Sequence, residues 1–186
     1  GAEARLTATR LRIYKAIHRP PRSLFEVAFR VTRLSAAFAL TMPTLCGAIL
    51  AWWQVGVLNG WALAFHLGSM LLLALGLNAL AEYWDFARAH KATNSTEIAA
   101  RPEPLITGYG LLTHGFIPPK NILNLAYCLL TASVLCSLWL TLLAGWPILF
   151  FSGLSFVLAY TCVHPPIQYG YRGWALGELG IFLELF

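Results

Sequence analysis

Two long stretches of the chain are apolar and free of charged residues. Asp, Glu, Lys and Arg are absent from residues 34–81 and 121–171. A helix of about 20 apolar residues crosses a bilayer, so each stretch is long enough for two spans, and turn-forming residues divide it at 55–60 and 144–147. The pattern predicts complete spans near residues 34–55, 61–83, 120–143 and 146–162, and a fifth that begins near Trp174.

Composition leads to the same fold class. Of 186 residues, 58% are hydrophobic and 11% are charged, whereas a soluble domain carries about 25% charged residues. A soluble globule, a disordered chain and a disulfide-built fold are therefore excluded. We predict an all-α membrane protein, a helical bundle of four full spans plus the start of a fifth. Residues 1–33 are a basic cytoplasmic or interfacial segment, and residues 34–186 are the transmembrane domain, incomplete at its C-terminus.

The basic residues are concentrated before the first span. Eight of the 13 Lys and Arg residues precede residue 34, and a basic flank marks the cytoplasmic side of a span. Counting spans from there places residues 84–119 and 163–173 on the same side. The net charge of +5 is explained by this location and indicates no nucleic-acid partner. We predict a multi-pass protein of the cell (inner) membrane with a cytoplasmic N-terminus and site.

Three oxygen-bearing side chains follow one face of the second span near its cytoplasmic end. Asn78, Glu82 and Asp85 are spaced i, i+4 and i+7, which places them on one helix face. Mg²⁺ prefers a few carboxylates together with water and substrate phosphate, so the pattern indicates a site for Mg²⁺ and a diphosphate. It predicts that the three side chains face a common cavity. The alternative is a helix end that emerges into water, where acidic residues carry little energetic penalty.

Two connecting segments contain cations suited to phosphate. Arg101 lies in a turn-rich loop, which is either a solvated connector or a lid that brings Arg101 to phosphate. Arg172 offers a planar fork of five donors, and Glu178 enters the membrane again, where an unpaired acid is costly. The structural alternative is a clamp between Arg172 and Glu178.

These segments, in this order, resemble the UbiA-type intramembrane prenyltransferases, most closely the 1,4-dihydroxy-2-naphthoate prenyltransferases of menaquinone and phylloquinone synthesis. Residues 78–86, Asn-Ala-Leu-Ala-Glu-Tyr-Trp-Asp-Phe, are similar to the family's first acidic motif, Asn-x-x-Asn-Asp-x-x-Asp-Phe. Leu-Ile-Thr-Gly at 105–108 and Pro-Pro-Lys at 118–120 are similar to the family's entry to span three. Residues 160–178 are similar to its span-four loop.

The resemblance implies the first half of a nine-helix ring around a lipid-open cavity. It also implies a magnesium-dependent enzyme that moves a polyprenyl or phytyl group from its diphosphate to an aromatic acceptor, expected to be 1,4-dihydroxy-2-naphthoate, in quinone synthesis. The residues implied for Mg²⁺ and for catalysis are Asn78, Glu82 and Asp85. The residues implied for the diphosphate are Arg101, Arg172, Tyr171 and Lys91.

The sequence departs from the family pattern in several places. Ala81 replaces an amide, Glu82 replaces an aspartate, and Lys91 stands where the family has an acid. The family's second acidic motif follows span six, whereas the apolar segment from Trp174 to Phe186 is too short to cross a bilayer. We expect either that the native chain continues or that a partner completes this span.

Two other functions stay open. A truncated, non-catalytic relative would be a structural or pigment-holding subunit of a larger membrane complex, and His66 in span two would be an axial ligand for haem or chlorophyll. A lone membrane histidine more often hydrogen-bonds a neighbouring helix. A transporter is disfavoured because no broken helix or inverted second half is visible.

For the enzyme, the expected partners are the isoprenyl diphosphate, the aromatic acceptor and the lipid bilayer.

Overall fold

The computed structural model describes residues 20–21, 23–92 and 108–171. Within these ranges the chain is helical and contains no β-strand. The helices are α1 (Leu24–Thr32), α2 (Leu34–Val55), α3 (Gly60–Ala92), α4 (Gly108–Thr113), α5 (Pro119–Ala144) and α6 (Trp146–Val163), followed by a 3₁₀ turn, Tyr169–Tyr171. The predicted fifth span lies outside the described residues.

Glycines end two of the long helices where the sequence predicts breaks. Gly56 adopts a left-handed conformation with φ of 73° after α2, and its N–H donates to the carbonyl of Trp52 at 2.7 Å. Gly145 has φ of 95° and donates to the carbonyl of Thr141 at 2.8 Å. Positive φ is readily adopted only by glycine, and Pro147 then occupies the first turn of α6, where proline is tolerated. Both predicted breaks are confirmed.

Helix α3 is longer than the predicted second span. The sequence predicts a span near 61–83, and α3 continues past it to Ala92. The charged residues that begin at Glu82 end the apolar pattern but do not end the helix. They are compatible with helix because Asp85 pairs with Arg88 one turn later and the segment contains no glycine or proline. The short helix α4 is also unpredicted.

The packing is centred on the pair formed by α3 and α5, which make the most extensive helix contact in the described part of the chain. Ser69 Oγ donates to the carbonyl of Ser133 at 3.0 Å, and Ser133 Oγ donates to the carbonyl of Ser69 at 2.8 Å. Gly76 lies against the Leu130 side chain. Helix α2 packs on α3, and α6 packs on both α5 and α3. The main buried apolar cluster comprises Val31, Leu73, Ala79, Leu80, Leu111, Leu112, Ile122, Ala126 and Leu130.

Three described helices are long and apolar enough to cross a membrane: Gly60–His90 within α3, all of α5 and all of α6. Only 6% of the α6 window is buried by the rest of the protein, and large apolar side chains such as Trp53 and Phe151 are exposed. This arrangement is compatible with a helical membrane protein, in which lipid covers such surfaces. Helix α2 coincides with the predicted first span in its bounds.

The contact between α3 and α5 predicts different tolerance at two glycines of the same helix. A Cβ at Gly76 would lie 2.9 Å from Leu130 Cγ and 3.2 Å from the carbonyl oxygen of Ala126, whereas a Cβ at Gly68 would meet nothing within 4 Å. Gly76→Val should therefore lower the free energy of unfolding by about 2 kcal/mol more than Gly68→Val does. Unfolding by SDS titration in mixed micelles, followed by circular dichroism, measures this difference. Equal losses for both variants would contradict the proposed packing.

Candidate functional site

The predicted acidic stripe lies in the last part of α3, where α1 and α4 pack against it. We call the residues Asn78, Glu82 and Asp85 the acidic stripe. Glu82 is fully buried. A Cβ added to Gly108 at the start of α4 would lie 3.0 Å from Glu82 Cγ and 3.2 Å from the Cα of Val31. The absence of a side chain at Gly108 therefore lets α4 approach both α1 and the buried carboxylate.

Glu82 is held by an arginine that is distant in sequence. Arg33 Nε donates a hydrogen bond to Glu82 Oε1 at 2.8 Å, and Arg33 Nη2 forms an ion pair with the same oxygen at 2.7 Å. Arg33 separates α1 from α2 and adopts a left-handed conformation with φ of 48°. Its side chain is 51% exposed, against 1% for Glu82. The pair thus places a buried negative charge against a positive charge that still reaches the surface, which offsets the penalty of burying the carboxylate.

Asn78 ties the same part of α3 to α1. Its Nδ2 donates to the carbonyl oxygen of Thr32 at 2.7 Å. The last carbonyls of a helix have no intrahelical partner, and Thr32 ends α1. Asn78 therefore satisfies one of these carbonyls, and it joins α1 to α3 one helical turn before Glu82.

Asp85 is the most accessible carboxylate of the acidic stripe, with 33% of its side chain exposed. Its Oδ1 accepts a hydrogen bond from Arg88 Nη2, one turn later on α3. Arg88 is itself half-exposed. Because this pair is partly solvated and local in sequence, it contributes much less to stability than a fully buried pair would.

An aromatic cluster adjoins the acidic stripe on the side of α3 that meets α6. The rings of Trp84 and His164 meet edge to face at a centroid distance of 5.3 Å, and Tyr160 stacks on His164 at 4.6 Å. Trp84 Nε1 is buried without a hydrogen-bond partner in the described part of the chain. A buried N–H group in this state is energetically unfavourable, so an acceptor for it is expected at this position.

Both carboxylates of the acidic stripe are paired with arginines. Glu82 Oε1 is bonded to Arg33, and Asp85 Oδ1 is bonded to Arg88. Over the described ranges, no group of three or more His, Cys, Asp or Glu side chains could hold a metal ion. The residues as placed do not fit a magnesium site. The magnesium assignment to Asn78, Glu82 and Asp85 stays a prediction, and a metal ion at this position would share Glu82 with Arg33 or replace Arg33.

The sequence predicts that the three side chains of the acidic stripe face one cavity. Instead, Asn78 and Glu82 make contacts with the α1 end, at Thr32 and Arg33. Lys91 lies in the last turn of α3, and Tyr171 lies in the 3₁₀ turn after α6. The predicted diphosphate ligands Arg101 and Arg172, together with Glu178, lie outside the described residues.

Several residues of this region were not predicted as site residues. Arg33 is the last cation before the first apolar stretch, and its position gives no signal of its partner, 49 residues away. Trp84 falls inside the acidic motif but is not one of its oxygen-bearing residues. His164 precedes the Pro165-Pro166 pair, and nothing local links it to Trp84.

In comparison with known proteins, the chain matches no family model, no curated protein and no solved structure.

The pairing of Arg33 with Glu82 predicts a large effect from losing one partner. Arg33→Met should lower the free energy of unfolding by about 3 kcal/mol, because it leaves a buried carboxylate without its counter-charge. The double variant Arg33→Met/Glu82→Met should recover most of this loss. SDS titration of unfolding again provides the measurement.

Arg88→Met is the matched control for that experiment. It breaks a half-exposed pair and should cost no more than about 1 kcal/mol. If Arg33→Met and Arg88→Met are equally stable, or if the double variant is no more stable than Arg33→Met alone, Arg33 does not compensate Glu82.

Proposed function

We propose that the chain is part of an intramembrane prenyltransferase that moves a polyprenyl or phytyl group from its diphosphate to an aromatic acceptor, with 1,4-dihydroxy-2-naphthoate as the expected acceptor. The observation that carries this proposal is the position of Asp85. It is a partly exposed carboxylate at the end of an apolar helix, beside Arg88 and one turn after the pair of Glu82 and Arg33. Ionisable side chains in or next to a membrane-spanning segment usually have a functional role.

The described residues supply two features that this chemistry needs. Arginine guanidinium groups bind phosphate oxygens by charge-assisted hydrogen bonds, and Arg33 and Arg88 are both partly exposed. Such groups would stabilise the diphosphate as the carbon–oxygen bond breaks. Trp84 on α3 and Tyr160 on α6 belong to the aromatic cluster that adjoins the acidic stripe, and their faces would shelter the allylic cation from water. The acceptor ring then attacks the cation and loses a proton.

The proposal is tested by prenyl transfer in vesicles that contain the full-length native protein. Radiolabelled geranylgeranyl diphosphate and 1,4-dihydroxy-2-naphthoate are supplied with Mg²⁺, and the prenylated product is extracted into hexane. Asp85→Asn should lower turnover at least about 100-fold, because removal of one charged group that acts on the reacting centre has effects of this size. The family resemblance predicts that chelation with EDTA also abolishes turnover.

Glu26→Gln is the matched control. Glu26 is a partly buried acid on α1 that pairs with Arg30 at 2.5 Å and lies outside the acidic stripe, so its loss should leave turnover within about twofold, as for a position away from the reacting groups. The proposal is wrong if the native protein forms no prenylated product, or if Asp85→Asn and Glu26→Gln turn over at the same rate.

A second function, a non-catalytic subunit of a membrane complex, is favoured by one specific observation. Asn78 and Glu82 are engaged in holding α1 to α3, so two thirds of the acidic stripe already have a structural role. This function needs no turnover. It predicts that Asp85→Asn has no effect on the quantity or size of the complex that is extracted in mild detergent, whereas Arg33→Met reduces both.

A further inference from the structure

A cavity of about 770 Å³ lies between α2, α3, α5 and α6, away from the acidic stripe. On α3 it is bordered by residues from His66 to Leu73. Since an α-helix rises 1.5 Å per residue, Leu73 is about 8 Å along the axis from Asn78, the nearest residue of the acidic stripe, and His66 is about 24 Å from Glu82. The cavity is therefore a second site, in the part of the bundle that the sequence places inside the membrane. Its volume is within the range of about 300–1,000 Å³ that is typical of small-molecule sites.

Polar side chains from three helices border this cavity without a hydrogen bond to any other described residue. They are Thr44 on α2, His66 on α3, and Ser152 and Ser155 on α6. Ser69 differs, because its hydroxyl is bonded to Ser133 across the contact of α3 with α5. Polar groups without a partner in hydrocarbon are costly. Several such groups around one apolar cavity are typical of a ligand site in which oxygen or nitrogen atoms of the ligand complete the hydrogen bonds.

The lack of charged side chains among the described residues around the cavity limits the charge of the ligand that it can bind. None of the described residues that border the cavity is Asp, Glu, Lys or Arg, and no charged residue occurs in residues 34–81 or 121–171. A phosphate, a carboxylate or the two propionates of haem would enter without a counter-charge, which is strongly unfavourable in hydrocarbon. The ligand is therefore uncharged.

The remaining walls define the body of the ligand. Phe151, Phe156, Leu73 and Met70 contribute apolar surface, which suits a hydrocarbon chain or ring. A neutral imidazole has one N–H donor and one acceptor nitrogen, so His66 can bond either a carbonyl or a hydroxyl oxygen. We propose that this cavity binds an uncharged lipid that carries a carbonyl or hydroxyl oxygen, with His66 as its main hydrogen-bonding residue. This binding does not depend on prenyl transfer.

Binding is tested with the full-length native protein in nanodiscs and a radiolabelled decyl-substituted benzoquinone, which is uncharged and has two carbonyl oxygens. The probe retained by empty nanodiscs is subtracted. The native protein should show saturable binding of about one probe per chain. His66→Leu should weaken binding about tenfold, the equivalent of one good hydrogen bond, and Ser152→Ala should weaken it a few-fold. Decylbenzene, which has no oxygen, should show no saturable binding.

His114→Leu is the matched control, because His114 lies on the surface after α4 and does not border the cavity. It should bind the quinone as the native protein does. Three results would each overturn the proposal: no saturable binding by the native protein, equal binding by the native protein and His66→Leu, or equal binding of decylbenzene. Prenyl-transfer activity is measured separately, so its presence or absence does not change any of these outcomes.

Discussion

The close approach of α3 and α5 is the contact on which the rest of the structure depends. Between helices in lipid the hydrophobic effect supplies little attraction, so small residues and interhelical hydrogen bonds hold them together. Here Gly76 has no side chain and leaves room for the side chain of Leu130. The hydroxyl groups of Ser69 and Ser133 each donate a hydrogen bond to a backbone carbonyl of the opposite helix. Helices α2 and α6 then pack around this pair. With 33 residues, α3 is about 50 Å long, and it exceeds a hydrocarbon core of about 30 Å, which allows its last turns to carry charge.

Near the end of α3, the need of Glu82 for a positive counter-charge bears on both proposed functions, the enzyme and the non-catalytic subunit. Glu82 is fully buried, and a buried carboxylate needs a counter-charge. Arg33 provides it in this arrangement, and a divalent cation would provide it in the arrangement that the family resemblance implies. The two positive charges would compete for one carboxylate, which pairs with Arg33 in this arrangement. Whether α1 stays attached to α3 through Arg33 therefore decides whether the acidic stripe is a structural joint or a site for a charged ligand.

The parts of the structure that depend on local sequence could be predicted, and those that depend on distant contacts could not. Gly56 and Gly145 end helices because of their own backbone freedom, so the breaks were evident from the sequence. The charged residues that begin at Glu82 predict where the apolar span ends, but they do not predict that α3 continues to Ala92, since a helix that leaves the membrane can continue in water. Arg33 and Glu82 are 49 residues apart, and their pairing follows from how α1 folds back.

The site and the cavity differ in the kind of molecule that each can accept. The last part of α3 combines carboxylates with partly exposed arginines. A charged ligand that binds there can therefore take the place of an arginine or of a carboxylate in an existing ion pair, with little net change in charge. The cavity around His66 has polar atoms but no charged residue in the described part of the chain. An anion that binds well at the first site would lose its hydration without compensation at the second. The nearest residues of the two sites on α3, Leu73 and Asn78, are about 8 Å apart along the helix axis, and the lack of charge around the cavity excludes the anion that the first site can accept.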